Sequence, residues 1–157
     1  MLIRSATPED VPQMRALEQQ ADTAAHWAAR EYDALFATDA PARMTLVAVS
    51  ESDPKEIRGF LVARCAGGDW EIENVVVTRQ HREQGVATKL VQTVLLQASR
   101  ANATSVLLEV RESNLPARRL YEKLGFSQQG RRSNYYRGPL EDGLLLQISI
   151  KSGEKVP

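Results

Sequence analysis

The sequence has little of what marks several classes of protein. Its one cysteine, Cys65, excludes an internal disulfide and a cysteine-rich zinc module. Its two histidines, His26 and His81, are too far apart for the two-histidine helix motif of zinc proteases, and we predict no metal site. No apolar run approaches the ~20 residues that span a bilayer. The N-terminal stretch also lacks the basic start and apolar core of a secretion signal, so we expect a cytoplasmic protein with no membrane partner.

The chain also lacks a net charge. Its 20 basic residues balance 20 acidic ones, which argues against a nucleic-acid partner. The balance hides an asymmetry, because residues 1–78 contain 7 basic and 13 acidic residues, whereas residues 79–137 contain 11 and 4. A basic half suits a phosphate-bearing ligand and an acidic half suits a cationic one, although a mixed, solvated surface explains the same counts.

The remaining composition is that of a globular protein, with 43% hydrophobic and 25% charged residues in a chain of 157. A chain of this length buries enough surface to hold one core without disulfides or metal. We therefore predict a single domain over residues 1–150, followed by a polar tail over residues 151–157. Both a monomer and a homodimer are compatible with the sequence.

Hydrophobic periodicity and turn residues predict a mixed α/β (α+β) sheet with the element order β α α β β β α β α β β. The predicted strands are Leu2–Arg4, Met44–Ser50, Ile57–Ala66, Trp70–Thr78, Ser105–Arg111, Phe126–Tyr136 and Leu144–Ile150. The first predicted helix begins at Pro8, and the others are Ala25–Phe36, Val86–Asn102 and Leu115–Leu124. The second, third and fourth strands should form an antiparallel meander. The fourth and fifth strands, joined by the long helix, should be parallel.

A polar loop connects the fourth strand to the long helix and reads R-E-Q-G-V-A from Arg82 to Ala87. The first amides of a helix have no intrahelical partner, and the helix dipole adds partial positive charge there, so such a junction can hold a pyrophosphate. Gly85 would let a ligand approach the backbone closely. The glycine motifs of dinucleotide and P-loop sites are absent, and an ordinary strand-to-helix turn explains the loop alone equally well.

Several segments together resemble the GNAT family of acyl-CoA N-acyltransferases. These segments are R-x-x-G-x-A behind the strand E-N-V-V-V, then L-E-V-R-E-S-N, then R-L-Y-E-K-L-G-F. The resemblance is strong over residues 70–127 and weaker over residues 1–150. Within the family, the chain most resembles the bacterial RimI group, which acetylates the N-terminal amine of a ribosomal protein. This closer resemblance rests on the S-N-Y-Y segment from Ser133, the Leu120-Tyr121 pair and His26-Trp27.

The resemblance implies acetyl-CoA as co-substrate, with its diphosphate on the loop amides and its pantetheine along the fourth strand, where neighbouring strands separate. The cofactor-binding residues that it implies are Val75, Val76, Val77, Arg82, Glu83, Gln84, Gly85, Val86, Ala87, Thr88 and Asn114. Asn114 also precedes a predicted helix and would serve equally as its N-cap. Ala87 stands where the family often has glycine, and Thr88 replaces a commonly basic residue, which would weaken phosphate binding slightly.

Glu109 is the predicted general base for an incoming amine. Period two places it on the strand face opposite Val106, Leu108 and Val110, which we expect in the core. Apolar neighbours would desolvate its carboxylate and raise its pKa, which suits a base. The competing interpretation is a glutamate that pairs with a nearby arginine.

Glu73 is the rival base, and Tyr121 is the predicted acid. Glu73 shares a strand face with Glu71 and Val75 unless a bulge intervenes, so the sequence does not fix where its carboxylate points. A tyrosine with an unperturbed pKa near 10 can protonate a departing thiolate, although a core tyrosine explains Tyr121 as well.

Four aromatic residues are predicted to line the acceptor groove, although such spacings are more often those of a core: Trp27, Tyr32, Tyr135 and Tyr136. The predicted enzyme transfers an acetyl group from acetyl-CoA to a primary amine by direct attack in a ternary complex. The favoured acceptor is the N-terminal α-amine of a protein or peptide. The alternatives are a small-molecule amine, a lysine side chain, or an acyl-CoA-binding module without turnover.

Overall fold

The computed structural model describes residues 1–22, 24–37 and 42–150, so the predicted tail at residues 151–157 lies outside the described residues. The strands are β1 (Leu2–Ser5), β2 (Arg43–Val49), β3 (Ile57–Arg64), β4 (Asp69–Val77), β5 (Ser105–Arg111), β6 (Ser127–Tyr136) and β7 (Glu141–Ser149). The helices are α1 (Val11–Gln19), α2 (Ala29–Ala34), α3 (Val86–Arg100) and α4 (Leu115–Lys123), with 3₁₀ turns at Pro8–Asp10 and Arg79–His81. None of the helices in these ranges has the length and apolar character needed to cross a bilayer.

The seven strands form one mixed sheet in the order β1-β2-β3-β4-β5-β7-β6. All neighbouring strands are antiparallel except β4 and β5, which run parallel and are joined through α3. The predicted fold class, element order, meander and parallel crossover are confirmed.

Each face of the sheet has its own hydrophobic core. The helices α3 and α4 cover one face, where the predicted core side of β5 is confirmed. This core includes Leu90, Val94, Leu95, Val106, Leu108, Val110 and Leu124. The helices α1 and α2 cover the other face, whose core includes Met14, Tyr32, Val47, Phe60 and Val62. We call these the α3 face and the α1 face.

The second helix is shorter than the predicted Ala25–Phe36, because α2 spans only Ala29–Ala34. His26 has a φ of 54° and Ala28 a ψ of 159°, so the chain enters α2 from irregular and extended backbone. The spacing of bulky side chains predicted the helix but not this lead-in, which leaves Trp27 outside it. The bounds of the other strands and helices agree with the prediction to within about three residues, a usual margin for element ends.

The strand β4 contains one extra residue, Glu73. In the ladder with β3, Val62 pairs with Asn74 and the next residue, Ala63, pairs with Ile72, so Glu73 has no opposite residue. Such a bulge bends a strand and increases its local twist.

The bulge reverses which side chains of β4 face which core. Ile72 and Val75 both contact the α3 face, although an unbroken strand would place them on opposite faces. Asn74 points to the α1 face, where it hydrogen-bonds a side chain of α1. The prediction that Glu71, Glu73 and Val75 share one face is therefore wrong beyond the bulge.

Gly59 of β3 lies where β4 and α3 approach it closely. A Cβ atom at Gly59 would be 2.8 Å from the carbonyl oxygen of Val76 and 3.0 Å from a methyl group of Val86. We expect Gly59→Ala to lower the free energy of unfolding by about 1–3 kcal/mol, because the overpacked backbone must shift. Gly130→Ala is the matched control, since its Cβ would meet only the side chain of Leu145 at 4.0 Å. Equal urea midpoints for the two variants would contradict this prediction.

Candidate active site

The strands β4 and β5 separate part-way along their length. Their pairing ends at Ile72 and Leu108, although β4 continues to Val77 and β5 continues to Arg111. A cleft of about 880 Å³ lies at this gap. The valines of β4 that the sequence analysis assigned to a cofactor all line the cleft, namely Val75, Val76 and Val77.

The N-terminus of α3 opens onto the same cleft. The first intrahelical hydrogen bond is donated by the Lys89 amide to the carbonyl oxygen of Gly85, so the earlier amides of this turn have no acceptor in the helix. Gly85 has a φ of 79°, and a Cβ atom there would meet nothing within 4 Å. The predicted loop residues that line the cleft are Arg82, Glu83, Gly85, Val86, Ala87 and Thr88.

This end of the cleft fits a diphosphate group. Glu83 and Gly85 both adopt left-handed backbone conformations, an alternation that turns successive amides toward one side. The helix dipole adds partial positive charge where those amides are exposed. Gln84 differs from its neighbours, because it does not line the cleft and its side-chain amide donates to the carbonyl oxygen of Gln80 at 3.1 Å.

Asn114 is placed for both of the roles that the sequence left open, those of a helix N-cap and of a ligand contact. It is the N-cap of α4, where its Oδ1 atom accepts a hydrogen bond from the Ala117 amide at 3.3 Å. It also lines the cleft. The capping bond uses the side-chain oxygen, so the side-chain NH₂ group is the part of Asn114 suited to a ligand.

Glu109 lies on the cleft wall one residue beyond the last β4–β5 pair. One carboxylate oxygen, Oε1, is 3.1 Å from Nε of Arg132, so the ion pair that the sequence analysis held as an alternative is present. The other oxygen, Oε2, is buried and accepts no hydrogen bond from the part of the chain that the structure describes. The Tyr135 hydroxyl makes no hydrogen bond to this oxygen, but it lies near enough that burial and the Glu109 charge together raise the pKa of Tyr135. A buried carboxylate oxygen without a donor is suited to accept a proton from a ligand.

Glu73 also lines the cleft, but both of its carboxylate oxygens are engaged. Arg43 donates from Nε to Oε1 at 2.8 Å and from Nη2 to Oε2 at 3.2 Å. The carboxylate raises the pKa of the Arg43 guanidinium, chiefly through these hydrogen bonds. A bidentate pair of this kind fixes the carboxylate geometry and leaves Glu73 less free than Glu109 to bind a proton.

Tyr121 lies on α4 and lines the cleft on the α3 face of the sheet. Its ring is buried and packs edge-on against Phe126, with 5.6 Å between the ring centroids. Burial raises the pKa of the Tyr121 hydroxyl, and nearby Tyr136 adds to the effect, so the hydroxyl keeps its proton at neutral pH. On α4, Tyr121 and Leu124 are buried whereas Leu120 is only partly buried, so Tyr121 takes the inward position.

Two of the predicted groove aromatics do not lie on the cleft wall. Tyr32 is 1% exposed and its hydroxyl donates to Glu18 at 2.7 Å, so its assignment to a substrate groove is wrong and it is a core residue. Burial and the neighbouring carboxylate raise the pKa of the Tyr32 hydroxyl. Trp27 packs edge-on against Tyr32 with 5.7 Å between centroids, at the edge of the same core.

Tyr136 lines the cleft, whereas Tyr135 lies beside it and is 48% exposed. The two rings pack edge-on with 5.0 Å between centroids, and the Arg132 guanidinium lies 5.2 Å from the centroid of Tyr135. Burial, together with the charge of Glu109, raises the pKa of Tyr136 to about 12. Of the four predicted aromatics, Tyr136 is therefore the one in position to contact a ligand directly.

Arg111 holds this wall of the cleft in place, a role that the sequence analysis did not assign. Its guanidinium lies 4.5 Å from the ring centroid of Tyr136. The same group donates to the carbonyl oxygens of Arg137 and Pro139 and pairs with Glu141 at 3.2 Å. The buried arginine thus connects the end of β5 to the turn between β6 and β7.

Asn74 and Glu18 were also missed as site residues. Asn74 lines the cleft and donates a hydrogen bond to Glu18, which is 2% exposed. Glu18 also accepts from the Tyr32 hydroxyl at 2.7 Å and from the Trp27 amide at 2.8 Å. A sequence signal was present, because Glu18 falls on the apolar stripe of α1, where a charged residue must be buried with hydrogen-bond partners.

A family model described as the acetyltransferase (GNAT) family matches residues 11–126, which include α1, the bulged strand, the α3 junction and α4. The chain belongs to this family. The match confirms the resemblance that the sequence segments indicated, and the sheet with its parted strands is the corresponding fold.

Curated relatives carry more specific names. The [ribosomal protein bS18]-alanine N-acetyltransferase of Haemophilus ducreyi is 32% identical over 92 residues, which cover 59% of this chain and 62% of the relative. The protein of the same name from Escherichia coli K12 is 30% identical over 88 residues, covering 56% and 58%. The chain thus spans little more than half the length of these relatives. A Methanocaldococcus jannaschii protein named only as an uncharacterized N-acetyltransferase is 31% identical over 112 residues and 69% of each chain.

Solved structures share the fold over nearly the whole chain. The Escherichia coli ribosomal-protein-S18-alanine N-acetyltransferase superposes with a TM-score of 0.83 at 22% identity, covering 99% of this chain and 98% of that one. Arabidopsis thaliana NAA60, solved with a bisubstrate analogue, gives 0.83 at 20% identity, covering 97% and 99%. At these identities the similarity establishes the fold alone.

Proposed function

We propose that this protein is an acetyl-CoA-dependent N-acetyltransferase, carried by one domain over residues 1–150. Its acceptor is the N-terminal α-amine of a protein, and a ribosomal protein is the first candidate. The observation that carries the proposal is a single cleft lined by the open amides at the start of α3, the free carboxylate oxygen of Glu109 and the protonated hydroxyl of Tyr121.

The coenzyme would lie with its diphosphate on the amides from Arg82 to Thr88 and its arm along Val75–Val77. Asn114 would contribute its free NH₂ group to the same arm. When bound, acetyl-CoA supplies an activated acetyl group as a thioester. Valines and alanines form part of the cleft wall, and a bound coenzyme would displace water from around the reacting atoms, which would strengthen the polar interactions there.

The transfer needs one proton acceptor and one proton donor. Attack by the amine nitrogen on the acetyl carbon forms the C–N bond and breaks the C–S bond. Glu109 accepts the proton that the nitrogen loses, directly or through water, and Tyr121 donates a proton to the departing thiolate. The products are an N-acetylated amine and a free thiol, and both side chains then exchange protons with solvent to return to their starting states.

An N-terminal amine suits this site because it needs little help from a base. Its pKa is near 7.7–8.0, so roughly a tenth is neutral at pH 7, whereas a lysine with a pKa near 10.4 is about 300-fold less available. The names of the bacterial relatives support the same acceptor. The closely related possibilities are a lysine side chain, a small-molecule amine, and coenzyme binding without turnover.

An acceptor panel tests the proposal. The purified protein is incubated with acetyl-CoA and, separately, with peptides that have free N-termini, N-blocked peptides that contain lysine, and small amines such as polyamines and aminoglycosides. We expect thiol release with the free N-termini. Thiol release only with lysine peptides or small amines would show that the acceptor is one of these and not an N-terminal amine. Binding of acetyl-CoA in calorimetry, without thiol release in the presence of any amine, would indicate a binding module without turnover.

Substitution of each glutamate by glutamine distinguishes the role of Glu109 from that of Glu73. We expect Glu109→Gln to lower kcat/KM by about 10²–10⁴-fold, because the variant loses the proton acceptor. Glu73→Gln should keep kcat/KM within about threefold of wild type and lower the melting temperature instead, because it weakens the bidentate pair with Arg43. Steady-state kinetics and thermal unfolding of both variants make the comparison. A larger activity loss in the Glu73 variant would assign the base to Glu73.

Removal of one hydroxyl tests the proton donor. We expect Tyr121→Phe to lower kcat at least about tenfold, because the departing thiolate loses its proton source while the buried ring is retained. The dissociation constant for acetyl-CoA, measured by calorimetry, should stay within about twofold, since the ring itself remains in place. Near-normal turnover with a good peptide substrate would remove Tyr121 from the mechanism.

A further inference from the structure

Glu18 and Asn74 form a buried polar pair beside the cleft that the chemistry above leaves unused. The hydrogen-bond donors to the Glu18 carboxylate in the described ranges are the Trp27 amide, the Tyr32 hydroxyl and the Asn74 side chain, none of which is a cation. Burying a carboxylate without a cationic partner costs free energy even when it is hydrogen-bonded. Such a group in an otherwise apolar core therefore points to a positioning role.

The carboxylate fixes which way the Asn74 amide faces. The Glu18 carboxylate accepts from all three of these donors, and the Asn74 donor is its NH₂ group, which therefore faces Glu18. Its oxygen, Oδ1, then points the other way, and no donor to this oxygen is found in the described part of the chain. Asn74 is 5% exposed and lines the cleft, so the small accessible part of the residue belongs to the cleft wall.

The proposed reaction requires a hydrogen-bond acceptor for the incoming amine at this part of the cleft wall. A neutral primary amine has one lone pair and two N–H groups, and the lone pair must point at the acetyl carbon. Both N–H groups then point away from the acetyl group, and once the bound coenzyme and acceptor have displaced water from the cleft, each needs an acceptor from the protein. The free Oε2 atom of Glu109 supplies one acceptor from β5.

Asn74 occupies the matching position on β4. The last pair of the two strands is Ile72 with Leu108. When the bulged Glu73 is discounted, Asn74 and Glu109 are each the next residue after that pair. Both side chains point away from the α3 face, so the two acceptors flank the gap on the same side of the sheet.

We propose that Asn74 Oδ1 accepts a hydrogen bond from the incoming primary amine, and that Glu18 is the positioning residue that holds this oxygen toward the cleft. The inference rests on the proposed amine acetylation and adds a specific contact to it. It also explains why the buried carboxylate contacts Asn74 and, among the residues that the structure describes, pairs with no arginine or lysine.

The test reverses the orientation of the amide. In Glu18→Gln, the new amide oxygen can still accept from Trp27 and Tyr32, but its NH₂ group now faces Asn74. Asn74 must then flip and present NH₂ to the cleft, where it repels the N–H of the amine. We expect the KM for the best peptide of the acceptor panel to rise about tenfold, as for loss of a buried hydrogen bond, with the acetyl-CoA dissociation constant within about twofold of wild type.

A double variant provides the rescue. In Glu18→Gln with Asn74→Asp, the new carboxylate accepts from the glutamine and again presents an oxygen to the cleft, so the peptide KM should return to within about threefold of wild type. Asp10→Asn is the matched control, because it also neutralises a buried carboxylate on the α1 face but one that is paired with Arg4. It should lower the melting temperature and leave the peptide KM unchanged.

The outcomes separate the two proposals. If wild type acetylates none of the amines, the proposed function and this inference both fail. If wild type is active, an unchanged KM in Glu18→Gln, a double variant without rescue, or an equal KM rise in Asp10→Asn would overturn only the role of Asn74. Should Glu18→Gln not fold, Asn74→Ala takes its place, and an unchanged peptide KM in that variant would overturn the inference.

Discussion

One extra residue in β4 sets the geometry on which the cleft depends. Without the bulge at Glu73, Val75 would face α1, and Asn74 would point into the apolar core under α3. The bend and twist that a bulge introduces lie directly beside the place where β4 and β5 stop pairing. Strands that remained paired to their ends would leave no gap in front of α3, and the open amides of that helix would face a closed sheet.

Two arginines pair with the glutamates beside this gap, but they engage different numbers of carboxylate oxygens. Arg43 engages both oxygens of Glu73, whereas Arg132 engages only one oxygen of Glu109. Two glutamates with the same chemistry thus differ in how much of each is available to a ligand. Buried polar groups are usually hydrogen-bonded, so the unpartnered oxygen of Glu109 is the feature of this wall, among the described residues, that the proposed role as base would explain.

The sequence predicted most of the fold because its strands and long helix follow clear periodicities, as in Val86–Arg100 and Ser105–Arg111. The loop at Gly85 was predicted from helix-end physics and family resemblance together. The sequence left room for a bulge near Glu73 but could not predict that one forms, because a ladder irregularity depends on the partner strand and leaves no periodic signal. Tyr32 was assigned to the groove for a similar reason, because the sequence does not show tertiary contacts. Its aromatic ring suits a groove or a core equally until the contact with Glu18 is known. Asn74 was missed because its importance lies in a contact across 56 residues of sequence.

The opening passes through the sheet from one side to the other. Tyr121 and Val86 belong to the layer beneath α3, whereas Ala24 belongs to the layer beneath α1, and all three border the same cleft. Under the proposed function, a coenzyme and an amine would arrive from opposite sides and meet where the two strands part. Substitutions at Ala21, Ala24 or Ala25, which border the cleft between α1 and α2, would then change the side that faces the amine and leave the α3 side unchanged. With the two sides separated in this way, the acceptor amine could change while the acyl donor stayed the same.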